Sequence, residues 1–137
     1  MAIEGASPIG LILVLFDLLV SDLRGAAAAL RVGDIEARCK ALNHGFLVLA
    51  QLQSWVDLKR GGEPAKILAL FYSRLGSKMM EAGVKKSAAV LEKEIDTILM
   101  VRNSWQKFEL KMGEPSPVES ALPSGEVAER IPLSLSL

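Results

Sequence analysis

The sequence predicts an all-α protein: an antiparallel up-down four-helix bundle with a flexible C-terminal tail. Four long segments with helical periodicity are separated by short Gly, Pro and Asp punctuation. No run alternates as a half-buried strand would, and β-branched residues are sparse. Connections of a few residues between long helices make successive helices antiparallel neighbours.

Ser7-Pro8 opens the first helix, with Ser as N-cap and Pro at the first helical position. This helix runs to about Val32, where Gly33 stops it. Asp34 caps a second helix, and Glu36 suits its first turn. The second helix is expected to reach about Leu58, with Lys59-Arg60 at its C-terminal end and Gly61-Gly62 ending it. Glu63-Pro64 starts the third, which runs to about Ala82 with Gly83 as C-cap. Ser87 caps the fourth, which continues to about Lys111, and Gly113 ends it.

Residues 1–112 thus form the bundle domain. Residues 113–137 read as a mostly disordered tail, with four prolines, five serines and four Glu against one Arg. Its closing Leu133, Leu135 and Leu137 are either a frayed end or a segment that docks on an apolar groove. The tail carries net −3, which leaves +3 on the bundle in a chain of zero formal charge. That balance, with a pI near 6.6, gives no global attraction to nucleic acid.

The longest apolar run, Ile9 to Val20, is interrupted by Gly10 and Asp17. It falls short of the roughly 20 residues a membrane span needs. No basic residue precedes it, so it does not read as a secretory signal. A cytoplasmic chain with a buried first helix and no membrane insertion is expected. One Cys and one His exclude a disulfide framework, a Cys-rich zinc site and paired Glu-x-x-His motifs. No cofactor, metal or catalytic residue is expected. Cys39 and His44 are five residues apart, about 140° around a helix, and cannot easily pair as nucleophile and base. Cys39 reads as a small core hydrophobe and His44 as a surface residue.

The second helix carries a core stripe of Ile35, Cys39, Leu42, Phe46, Leu49 and Val56. It also carries a second apolar row, Leu47, Val48, Leu52 and Trp55. The third helix shows Leu68, Phe71, Tyr72, Leu75 and Met79, with Ile67 and Leu70 beside them. The fourth shows Leu91, Ile95, Ile98, Leu99 and Trp105, flanked by Val90, Val101 and Phe108. The surplus rows either fill a broad core or form an exposed groove for a partner helix. Leu47, Val48, Leu52, Trp55, Ile67 and Leu70 are the candidate groove. Asp17 lies among apolar neighbours with no basic residue three or four positions away. It is either solvated or bonded across helices.

In order and spacing, several of these landmarks resemble the flagellar secretion chaperone FliS family. They are Ala6-Ser7-Pro8, Leu15-Phe16-Asp17, Gly33-Asp34, Leu52 with Val56-Asp57, Gly61-Gly62-Glu63, Leu68 with Tyr72, Glu81-Ala82 and Trp105. The resemblance covers about residues 6–109. It implies a non-enzymatic chaperone, monomeric or weakly dimeric. Such a chaperone binds the disordered C-terminal segment of flagellin, blocks early polymerisation in the cytoplasm and hands the cargo to the flagellar type III export gate. It also implies that Ser7, Pro8, Phe16, Asp17, Gly61, Gly62 and Tyr72 support the binding surface. Two features depart from the family pattern. Phe16 stands where members carry Tyr, and the residues before Ser7 hold none of the tyrosine of the segment thought to cover the family's groove. The residues by themselves leave a second reading open: a self-associating helical-bundle adaptor or regulatory protein with no flagellin cargo.

Overall fold

A computed structural model of the chain describes residues 8–112, with side chains for residues 9–107. The expected cap at Ser7 and the expected tail at 113–137 lie outside the described residues. The order is α1 (Pro8–Val32), α2 (Ile35–Ser54), α3 (Leu58–Lys85) and α4 (Ala88–Met112). Cross-helix pairs fix the directions. Asp22 of α1 meets His44 of α2, while Arg31 and Asp17 of α1 meet Glu92 and Arg102 of α4. Between α2 and α3, Leu49 lies against Gly76 and Leu42 against Gly83. In the α1–α4 and α2–α3 pairs one number rises as the other falls, and in α1–α2 Leu19 lies against Gly45 and Gly25 against Ala41 in the same sense, so successive helices are antiparallel. The four-helix expectation holds.

α1 packs closely on α2 and α4, whereas α3 stands further from its neighbours. The core runs through the centre between them. Phe16 meets Tyr72 edge-on at 6.4 Å and Trp105 at 5.7 Å, joining α1, α3 and α4. Such aromatic pairs add about 0.5–1.5 kcal/mol each beyond burial. Burial drives the Tyr72 hydroxyl far above its ordinary range, so it stays protonated. Gly45 lets α2 come close, since a Cβ there would lie 3.1 Å from the Met79 methyl and 3.5 Å from Leu19.

The joint between α2 and α3 differs from the expectation. α2 ends at Ser54, four residues early, and Trp55 follows as its C-cap, fully buried. Asp57 then caps α3. Its Oδ1 accepts from the Lys59 and Arg60 amides at 3.1 Å, and its Oδ2 accepts from Arg60 Nε at 2.6 Å. Lys59-Arg60 therefore open α3 instead of closing α2. Two forces outweigh the glycine signal: burial of the indole, and an aspartate able to satisfy two otherwise unpaired amides. Gly61-Gly62 lie inside α3, where Gly62 takes φ 60°, ψ −142° and kinks the helix. Pro64 restarts it at a position where a missing N–H costs little. At its other end α3 passes Gly83 and reaches Lys85. Lys86 adopts a left-handed cap (φ 54°), and the Ser87 amide folds back to the Ala82 carbonyl at 3.1 Å. Ser87 caps α4 as expected, accepting from the Val90 amide.

The core stripe of α2 is also rotated by about a quarter turn. Leu42 and Leu49 are buried, but with them are Gly45, Val48, Leu52 and Trp55, whereas Phe46 and Val56 are only half-buried. Ile35 is 61% exposed, and Cys39 is an exposed free thiol rather than a core residue. Leu42 lies opposite Gly83, so residues 35–39 extend past the end of α3 and have no third helix to cover them. The expected stripes of α3 and α4 agree with the structure at Leu68, Tyr72, Leu75, Met79, Leu91, Ile95, Ile98 and Trp105. Phe71, Val90, Leu99 and Val101 pack half-buried against that core, while the side chain of Phe108 lies outside the described residues.

Two stability outcomes follow from the joint. Gly62→Ala places a Cβ in a backbone region essentially reserved for glycine and lowers stability by about 1–3 kcal/mol, read by urea unfolding. The Asp57 carboxyl is held below its ordinary value of 3.8, chiefly by its hydrogen bonds with Arg60. Its stabilising contribution is therefore complete above pH 3.8 and is lost as pH falls through the lower folded value. The thermal midpoint of the wild type relative to Asp57→Asn is expected to fall only below that pH.

Candidate partner-docking surface

The six candidate groove residues do not form one surface. Val48, Leu52 and Trp55 are buried at 5%, 1% and 0% exposure. Assigning them to a groove is corrected on that ground: the rotation of α2 turns this row into the bundle. Leu47, Ile67 and Leu70 remain exposed, at 51%, 65% and 71%. Leu47 sits level with residues 76–79 of α3, because Gly45 faces Met79 and Leu49 faces Gly76. That is roughly 13–18 Å along the bundle from Ile67, so the structure does not bring it to the other two.

Ile67 and Leu70 belong to a different strip. Residues three, four and seven apart share one side of a helix, so Ile67, Leu70, half-buried Phe71 and Arg74 line one side of α3. Arg74 faces α4, reaching Glu94 Oε1 with its Nη1 at 3.4 Å. The strip therefore borders the α3–α4 seam, one of the two looser seams that α3 makes, where Thr97 and half-buried Val101 continue the α4 wall. Sequence reading did not single out Glu94. It is 1% exposed, on the apolar face between Leu91 and Ile98. A charged residue at that register is a signal the periodicity contains. Among the described residues, Trp55 Nε1 is buried without a hydrogen-bond partner, and Glu94 Oε1 has the long ion pair with Arg74 but no well-formed hydrogen bond. A buried atom with no partner, as at Trp55 Nε1, costs about 1–3 kcal/mol.

The remaining family-motif residues serve the frame. Phe16 and Tyr72 are core, Pro8 begins α1 and Gly61-Gly62 shape the α3 kink. Asp17 takes the cross-helix alternative. Its two oxygens accept from Arg102 Nε at 2.6 Å and Nη2 at 3.1 Å, a two-point clasp between α1 and α4. This bonding raises the pKa of Arg102, whose Nη1 also donates to Gln106.

Other features have less to offer a ligand. A shallow depression of about 160 Å³ at the α1–α2 turn is lined by Leu30, Ile35, Arg38 and Lys86, among others. His44 is tied to Asp22 at 2.6 Å on the surface. Among the described residues there is no acidic, His or Cys cluster suited to a metal ion, and no helix is long and apolar enough to cross a membrane.

The split of the candidate row has a direct test in circular dichroism and thermal melting. Leu52→Asp buries a charge in the core and is expected to cost at least about 4 kcal/mol, enough to unfold a marginal domain. Ile67→Asp and Leu70→Asp are expected to stay within about 0.5 kcal/mol of the wild type.

Comparison with known proteins places this arrangement. The chain matches the family model described as flagellar protein FliS over residues 1–111. It is also similar to the flagellar secretion chaperone FliS of Salmonella typhimurium, with 28% identity over 111 residues, covering 80% of this chain and 82% of that protein. The family match takes in all four helices, the Asp17–Arg102 clasp and the α3–α4 strip, and the chain belongs to the flagellar protein FliS family.

Proposed function

We propose that this protein is a flagellar secretion chaperone. It binds the disordered C-terminal segment of flagellin in the cytoplasm, prevents its early polymerisation and presents it to the flagellar type III export gate. The family match over residues 1–111 carries the reading, and the name of the Salmonella relative agrees with it. The bundle domain, residues 1–112, holds the function, which requires no catalysis and no cofactor.

The surface supports a binding role. Exposed Ile67 and Leu70 form an apolar edge beside the loosely packed α3–α4 seam. An amphipathic segment can lay its apolar side chains on such an edge, and ordering a disordered segment offsets part of the gain. The resulting moderate affinity suits a chaperone that must release its cargo. Leu47, on another side of the bundle, is available to a segment that wraps around it.

Calorimetric titration with a C-terminal peptide of flagellin from the same organism tests the proposal. One-to-one binding with a negative heat-capacity change is expected, weakened about tenfold or more in an Ile67→Asp, Leu70→Asp double variant of unchanged helicity. Absence of binding by the wild type, together with concentration-dependent dimerisation in light scattering, would instead identify a self-associating adaptor.

A further inference from the structure

We propose that Glu94 is the polar specificity contact of the α3–α4 strip, taking a hydrogen-bond donor from the bound segment once Arg74 swings aside. This rests on the cargo reading above and names the chemistry the cargo must present. The inference starts from the juxtaposition of a buried acceptor, a loosely held lid and an apolar edge.

The acceptor is Glu94, 1% exposed, with no well-formed hydrogen bond at Oε1. The lid is Arg74. Its Nη1 stands 3.4 Å from that oxygen, while its own side chain is half exposed. Charge-assisted N–H···O bonds close to about 2.7–2.9 Å, so the pair is attracted but not well bonded. The half-exposed guanidinium is solvated when it swings away, and the donor of the bound segment replaces the charge that the buried carboxylate loses. α3 also stands further from α4 than α1 does. The apolar edge is Ile67, Leu70 and Phe71, one to two turns along α3 from Arg74.

Together these define the occupant. It is a segment with apolar side chains for the edge and a lysine, arginine or carboxamide side chain for Glu94. Ile67 and Arg74 are seven residues apart, about 10 Å along the helix axis. The donor therefore sits about seven residues from the main apolar anchor if the segment is helical, or about three if it is extended. A carboxylate facing the strip at that spacing would be repelled by Glu94, which gives the strip its charge preference.

The free protein gains little from Glu94, and this separates a binding role from a structural one. Replacing a poorly bonded buried charge with an apolar side chain of similar volume is commonly neutral or stabilising. Full-length protein, titrated calorimetrically with the flagellin C-terminal peptide, gives the test. Glu94→Leu is expected to melt at or above the wild-type temperature yet bind about tenfold more weakly or worse. Arg74→Ala removes the competing cation and leaves the buried carboxylate unpaired, so it is expected to melt below the wild type yet bind severalfold more tightly. Should Glu94→Leu not fold, Glu94→Gln keeps the shape, and its expected loss of affinity is severalfold. Peptide binding by a folded Glu94→Leu protein within twofold of the wild type would overturn the assignment of Glu94 and leave the chaperone reading standing. So would a loss in Arg74→Ala equal to that in Glu94→Leu, since the ion pair would then only hold α3 to α4. Failure of the wild type to bind the peptide would overturn both.

Discussion

Burial of α1 sets the geometry of the other helices. Between Ile9 and Val20 only Val14, Asp17 and Leu18 are exposed, while Ile12, Leu15, Phe16 and Leu19 are at or below 1%. Each such side chain stabilises the folded state by about 1.5–3 kcal/mol relative to exposure, an upper bound given a compact unfolded chain. An apolar arc this wide needs two close partners. α2 and α4 supply them, and α3 closes the far side more loosely. The narrow strip of α1 left in water holds Asp17, which clasps Arg102 and fixes the register between α1 and α4.

The loose position of α3 connects the fold to its work. Its outer strip keeps Ile67 and Leu70 in water, and its cation Arg74 covers a buried, incompletely bonded Glu94. A surface formed this way costs the free protein some stability, which the proposed partner would offset by covering it. That trade is in keeping with the transient holding role proposed above.

The supports lie away from that strip. The Asp57 cap and the Gly62 kink set how α3 leaves α2, and the Phe16–Tyr72–Trp105 cluster anchors its middle to α1 and α4. Several residues that give the chain its family resemblance thus shape and hold α3 without forming the exposed edge themselves.

The number of helices, three of the four helix starts within the described residues and the core of α3 and α4 were legible in the sequence. Periodicity and capping act within a few residues of each other, so one strand of sequence contains them whole. Asp34 and Ser87 cap where local chemistry says they should. The end of α2 was not legible, because Gly61-Gly62 and Asp57 are both sound punctuation, and only the burial of Trp55 decides between them. Nor was the candidate site. Two apolar rows on α2 are equivalent until α1 and α3 are in place, and their positions send Val48, Leu52 and Trp55 inward while leaving Ile35 and Cys39 in water. Whether Asp17 met solvent or Arg102, and whether Glu94 was covered, depended on residues 85 and 20 positions away. Sequence by itself determined which segments are helical and what chemistry each carries. Tertiary structure decided which side of each helix meets water, because that depends on where the neighbouring helices stand.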